Sequence, residues 1–71
     1  MINQNLVLNK LKDMNGEKNV EMRVENNETV FIICEVFQRA SYYKIRYNAV
    51  KQCCNNIEDF LSNYQSLKEN L

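Results

Sequence analysis

Reactive side chains are few in this 71-residue chain, and their spacing limits the chemistry they could do. Its thiols are Cys34, Cys53 and Cys54, and no histidine accompanies them. A cysteine nucleophile needs a base to form its thiolate, and a structural zinc site is closed by four Cys or His ligands. An odd set of cysteines, two of them adjacent, fits neither a zinc site nor a disulfide framework. The thiols read instead as small packing residues kept reduced. Glu58 and Asp59 are paired carboxylates, but neighbours on a helix point about 100° apart and do not converge on one substrate atom. The sequence has no Gly-rich phosphate loop and no nucleophile elbow. These absences point to a protein that is not an enzyme, with no catalytic residue, cofactor, metal or small-molecule substrate.

A second constellation could bind rather than react. From Arg39 to Lys51 the cations Arg39, Lys44, Arg46 and Lys51 are interleaved with Tyr42, Tyr43 and Tyr47, following Phe37. Cations beside stackable rings are what RNA or single-stranded DNA binding requires, so Arg39, Tyr42, Lys44, Arg46 and Lys51 form a candidate nucleic-acid surface. The competing reading makes Tyr43 and Tyr47 core and Lys44 and Arg46 a solvated strand face. Nine basic and nine acidic residues cancel over the whole chain, so no global field recruits a polyanion. Locally the balance is uneven. Residues 13–35 carry six acids against two bases, and residues 36–57 carry four bases and no acid.

The elements that must position these residues follow from hydrophobic period. In residues 2–14, Val7, Leu11 and Met14 fall on one helical line, with Asn3 or Asn5 to cap its start and Asn15-Gly16 to end it. From Lys18 the period drops to two. Val20, Met22 and Val24 alternate with Glu21, Arg23 and Glu25 as in a half-buried strand, and Asn26-Asn27 suits a tight turn. Thr29 to Gln38 is apolar on both faces, which belongs in the middle of a sheet covered on both sides. After a turn at 38–41, Tyr43, Ile45 and Tyr47 alternate with Tyr42, Lys44 and Arg46 in a third strand, and Asn48 can cap the helix that follows. In residues 49–71, Val50, Cys53, Cys54, Ile57, Phe60, Leu61, Tyr64, Leu67 and Leu71 recur at three- and four-residue intervals, predicting one long amphipathic helix.

The expected fold is therefore a single small α+β domain over residues 1–71. Its order is α-β-β-β-α, a three-stranded antiparallel meander with a long C-terminal amphipathic helix. This order resembles the double-stranded-RNA-binding domain over the whole chain, as topology. That family binds through a Gly-Pro-x-His type loop between the first two strands and a Lys-Lys-x-x-Lys type cluster opening the last helix. Here the loop reads Glu25-Asn26-Asn27-Glu28 and the helix opens Asn48-Ala49-Val50-Lys51-Gln52, so the family's phosphate contacts are missing. RNA binding is kept as the alternative function.

The leading expectation is a protein-protein contact protein, an inhibitor, adaptor or regulator, and a homodimer. If Val30, Ile32, Cys34 and Val36 pack under the long helix, then Phe31, Ile33 and Phe37 face the other way and need a cover. Either the first helix lies over them, or both helices share one side and the face docks a second copy or a target protein. In the second arrangement Glu21 and Glu25 flank the stripe on one side and Lys44 and Arg46 on the other, which is self-complementary about a two-fold axis. A helix of this length, roughly 33 Å, would overhang strands of about 25 Å. Tyr64, Leu67 and Leu71 on the overhang join Phe31, Ile33 and Phe37 as the candidate interaction residues.

No secretory signal opens the chain, and the longest apolar run, Val30 to Cys34, is far short of the ~20 residues of a membrane span. A cytoplasmic protein is expected. Twelve Asn against two Ala, one Gly and no Pro suggest coding in an AT-rich genome, such as a low-GC bacterium or its phages and plasmids. Replacing Cys34 by Val and both Cys53 and Cys54 by Ala is expected to leave a cooperatively folded protein, checked by circular dichroism. Stoichiometric zinc in the purified wild type would overturn this reading of the thiols.

Overall fold

A computed structural model describes residues 1–37 and 39–71. Gln38, the first residue of the second expected turn, lies outside the described residues. Helix α1 (Gln4–Asn15) begins where the Asn3 side chain accepts the Leu6 N–H at 2.9 Å. It ends at Gly16, whose φ of 95° is a conformation that side chains resist and whose N–H donates to the Lys12 carbonyl at 2.8 Å. A short 3₁₀ turn over Glu17–Asn19 leads into strand β1 (Val20–Glu25). Strand β2 (Glu28–Glu35) follows a two-residue turn in which Asn26 and Asn27 have φ of 52° and 64°. This is the primed hairpin turn expected from the Asn-Asn pair, because Asn adopts left-handed backbone at little cost. Strand β3 (Ser41–Arg46) completes the meander.

The C-terminal third departs from the expected single helix. Helix α2 (Tyr47–Cys53) stops at Cys54, and a separate helix α3 (Ile57–Leu67) starts after Asn55-Asn56. Local hydrogen bonding explains the break. The Asn56 side chain accepts the Asp59 N–H at 2.9 Å, while the Asp59 carboxylate accepts the Asn55 N–H at 2.9 Å, a reciprocal cap that begins a new helix. Asn48 does not cap α2. The helix starts two residues earlier than that cap would place it, at Tyr47 with Arg46 in the cap position, and the Asn48 amide donates to Glu28 instead. The expected overhang is also corrected, because the chain turns at Lys68 and forms a fourth strand, β4 (Glu69–Asn70), antiparallel to β3. Over the described residues the fold is a small α+β domain whose antiparallel sheet runs β1-β2-β3-β4, with three α-helices.

All three helices lie on one side of the sheet. The hairpin register pairs Val20 with Ile33 and Met22 with Phe31, and β3 sets Ile45 beside Phe31, so these residues share one face. That face holds the core, where Val20, Phe31, Ile33 and Ile45 pack with Val7 and Leu11 of α1, Tyr47 and Val50 of α2, and Phe60, Tyr64 and Leu67 of α3. Phe31 and Tyr47 meet edge to face at 6.5 Å, as do Phe60 and Tyr64 at 5.9 Å. The expected orientation of β2 is thus inverted: Phe31 and Ile33 are fully buried beneath the helices, and Val30, Ile32 and Cys34 face the other way. Of the two arrangements left open by the sequence, the helices share one side.

Phe60 is fully buried at the point where α3 meets the core, with Ile57 packed beside it. Truncating Phe60 to Ala is expected to cost about 3–5 kcal/mol in chemical denaturation. A melt within a few degrees of wild type would contradict this packing.

Candidate functional site

The open face of the sheet is built from alternate residues of all four strands. Glu21, Arg23 and Glu25 come from β1, Glu28, Val30, Ile32 and Cys34 from β2, Tyr42, Lys44 and Arg46 from β3, and Glu69 from β4. Its centre is apolar but not bare. Val30 is 1% exposed and Ile32 8% although no helix covers them. Long charged side chains cover them instead, laying their methylene stems over the apolar floor and pairing their ends. Lys44 spans β2 to reach Glu25 at 3.2 Å, Arg46 reaches Glu69 at 3.1 Å and stands 3.9 Å from Glu28, and Arg23 pairs with Glu21 at 2.7 Å.

Toward the other end of the same face this cover gives out. A shallow depression of about 340 Å³ opens there, floored by Ile32 and Cys34 and flanked by Glu21 and Arg23 on one side and Tyr42 and Leu71 on the other. Tyr42 is 57% exposed and Leu71 65% exposed, both large and apolar enough to anchor a partner. The Leu71 N–H donates to the Tyr42 carbonyl at 3.3 Å, so the two are held together by backbone. Beyond the end of β2, Val36 and Phe37 are exposed in the connection to β3.

What holds Leu71 in place lies on the helix side. Glu35 accepts the Tyr64 hydroxyl at 2.8 Å and the Lys68 ammonium at 3.0 and 3.1 Å. Lys68 also sits 4.3 Å from the centre of the Tyr43 ring. With the Lys68 side chain only 10% exposed, this pin fixes where α3 ends and sends β4 back along β3.

The residues expected to carry protein contact are therefore divided by the fold. Phe31, Ile33, Tyr64 and Leu67 are buried in the core, whereas Phe37 and Leu71 are exposed. The alternative nucleic-acid set is divided as well. Tyr42, Lys44 and Arg46 share the open face, and Arg39 is exposed in the connection before β3. Lys51 is on α2, across the sheet, with its ammonium 5.1 Å from the Tyr47 ring. Sequence reasoning missed Ile32 and Cys34 as part of the open face. The signal that could have found them is the two-residue turn at Asn26-Asn27, which dictates that Phe31 and Ile33 share a side with Met22 and Val20.

Among the described residues no group of three Cys, Asp or Glu gathers where it could hold a metal ion, and no helix is long and apolar enough to cross a membrane. The thiols of Cys53 and Cys54 touch at 3.2 Å at the end of α2, the first exposed and the second buried. Comparison with protein-family models, with curated proteins and with solved structures finds no match to the chain.

Burial pushes the Cys54 thiol from an ordinary value of 9.0 up to about 12, and the contact with Cys53 adds to it. Burial likewise raises the Tyr64 hydroxyl from 10.0 to about 12, with Glu35 beside it acting in the same direction. Both groups stay protonated in the folded chain where the unfolded chain would release the proton. Stability from these groups is therefore complete below about pH 9, the unfolded thiol value, and is lost as pH rises toward about 12. Urea midpoints measured from pH 7 to 12 are expected to be level to about pH 9 and to fall beyond it. A midpoint that rises through this window would contradict the burial of both groups.

Proposed function

We propose that this chain is a small non-catalytic interaction protein, an inhibitor, adaptor or regulator that works by protein-protein contact and acts as a homodimer. The observation that carries the reading is the one-sided layering, with every helix on the Phe31 face and the Ile32 face left to side chains alone. A sheet face finished by movable charged arms around an apolar floor suits a protein surface, which can match both signs of charge. A polyanion is the poorer fit, because Arg23, Lys44 and Arg46 are each already paired with a carboxylate. Tyr42 and Leu71 beside the depression are the proposed anchors, with Phe37 at the neighbouring end of the sheet. The Asn-rich, Ala-poor composition fits a phage- or plasmid-encoded protein acting on a host target in the cytoplasm.

A photo-crosslinking benzophenone residue placed at Tyr42, or as a control at the exposed Leu6 of α1, tests this in cells that make the protein. A discrete protein adduct is expected from position 42 alone, and it should disappear when Leu71→Asp is added. Equal adducts from both positions, or no adduct from 42 together with a gel shift of generic RNA at physiological salt, would overturn the reading.

A further inference from the structure

The outer edge of the sheet offers a surface distinct from the open face. Among the described residues β1 hydrogen-bonds to β2 alone, which leaves one side of its backbone free. The two-residue turn makes Glu25 and Glu28 the closing hydrogen-bonded pair, and along an antiparallel ladder such pairs alternate with unbonded ones. Glu25, Arg23 and Glu21 therefore turn their N–H and C=O groups toward β2. Val24, Met22 and Val20 turn theirs outward, to the free edge.

Exposed edges are commonly blunted by a proline, by a bulge or by brevity. β1 has none of these, keeping an unbroken register from Val20 to Glu25. On the helix side its Met22 and Val24 lie beyond the cover of the helices, 43% and 74% exposed. An unpaired backbone row beside two exposed apolar side chains is a template for another strand.

We propose that β1 pairs antiparallel with β1 of a second copy across a two-fold axis at Met22. This rests on the homodimeric part of the proposed function and supplies its interface. An axis perpendicular to the sheet keeps the helices of both copies on one side, so facing residues must come from the same face and the axis must pass through a residue. Charge and strand length select which one. An axis at Val24 would set Arg23 against the partner's Glu25, but it would put Met22 and Glu21 opposite the turn residues Asn26 and Asn27, outside the strand. An axis at Arg23 would set Arg23 against the partner's Arg23 and Glu21 against the partner's Glu25. An axis at Glu21 would set that carboxylate against the partner's Glu21. Like charges directly opposite destabilise a ladder. At Met22, Glu21 faces the partner's Arg23 and Arg23 faces the partner's Glu21, while Val24 lies beside the partner's Val20.

The backbone permits this register. With the axis at Met22, Met22 faces the partner's Met22 and Val20 faces the partner's Val24, all with N–H and C=O groups pointing outward, so each free donor meets a free acceptor. Glu21 and Arg23, which now pair within the chain at 2.7 Å, each gain an opposite charge across the interface. Two four-stranded sheets join into one, and the two open faces become continuous.

Charge exchange tests the register in the full chain. Sedimentation of the wild type is expected to show a dimer forming as concentration rises to the millimolar range. Arg23→Glu alone, or Glu21→Arg alone, sets like charges opposite each other and should weaken dimerisation by about tenfold or more. An equimolar mixture of these two variants should recover the dimer, and so should the double variant Glu21→Arg/Arg23→Glu, which controls for misfolding. A wild type that stays monomeric overturns both the edge pairing and the homodimeric part of the proposed function. A dimer indifferent to the single variants, or one that the mixture and the double variant fail to recover, overturns the edge pairing alone.

Discussion

The helices cover one side of the sheet, and the seating of Phe31, Ile33 and Ile45 beneath them determines which side that is. Domains of this size withdraw only roughly 60% of their unfolded surface from water, so gathering all the helices on one face concentrates a thin core there. Once Phe31 and Ile33 face the helices, the alternate residues of β2 must turn outward, and the period of two carries Val30, Ile32 and Cys34 with them. The charged arms of β1 and β3 then have a definite task. They shield an apolar floor that no helix reaches.

Much of this was legible in the residues. The start of α1, expected at Asn3 or Asn5 and found at Asn3, its end at Gly16, the Asn26-Asn27 turn and the three strands of the meander all follow from short-range rules of capping, left-handed backbone and alternation. Where the reading went astray, two signals competed. From Val50 to Leu67 the apolar spacing runs through Asn55-Asn56 without interruption, because two helices packed on one core keep a common apolar face. Periodicity is blind to the cap between them, whereas Asn56 and Asp59 at cap spacing marked it.

The orientation of β2 was ambiguous for a different reason. A strand apolar on both faces gives no internal indication of which face is the core, and only the hairpin register transfers that information from the neighbouring strand. The tail shows the limit of local rules. Nothing in Lys68-Glu69-Asn70-Leu71 signals a strand. It pairs with β3 because Glu35, thirty-three residues earlier, holds Lys68 at the turn, a long-range contact with no local signature. The candidate site was legible only in part, since Leu71 was named for an overhanging helix and owes its exposure to this pinned strand instead.

The charged cover on the open face has a bearing on discrimination. A merely greasy partner pressing onto Val30 and Ile32 would strip water from Glu25, Lys44 and Arg46 without replacing it, and would be rejected by that desolvation. A partner carrying its own acids and bases in matching order could accept the ends of these arms as they swing aside. The apolar floor would then contribute only after the charges had been matched. A face built this way presents a hydrophilic exterior while unoccupied, and under the proposed function it would select partners by their polar pattern before their hydrophobicity could count.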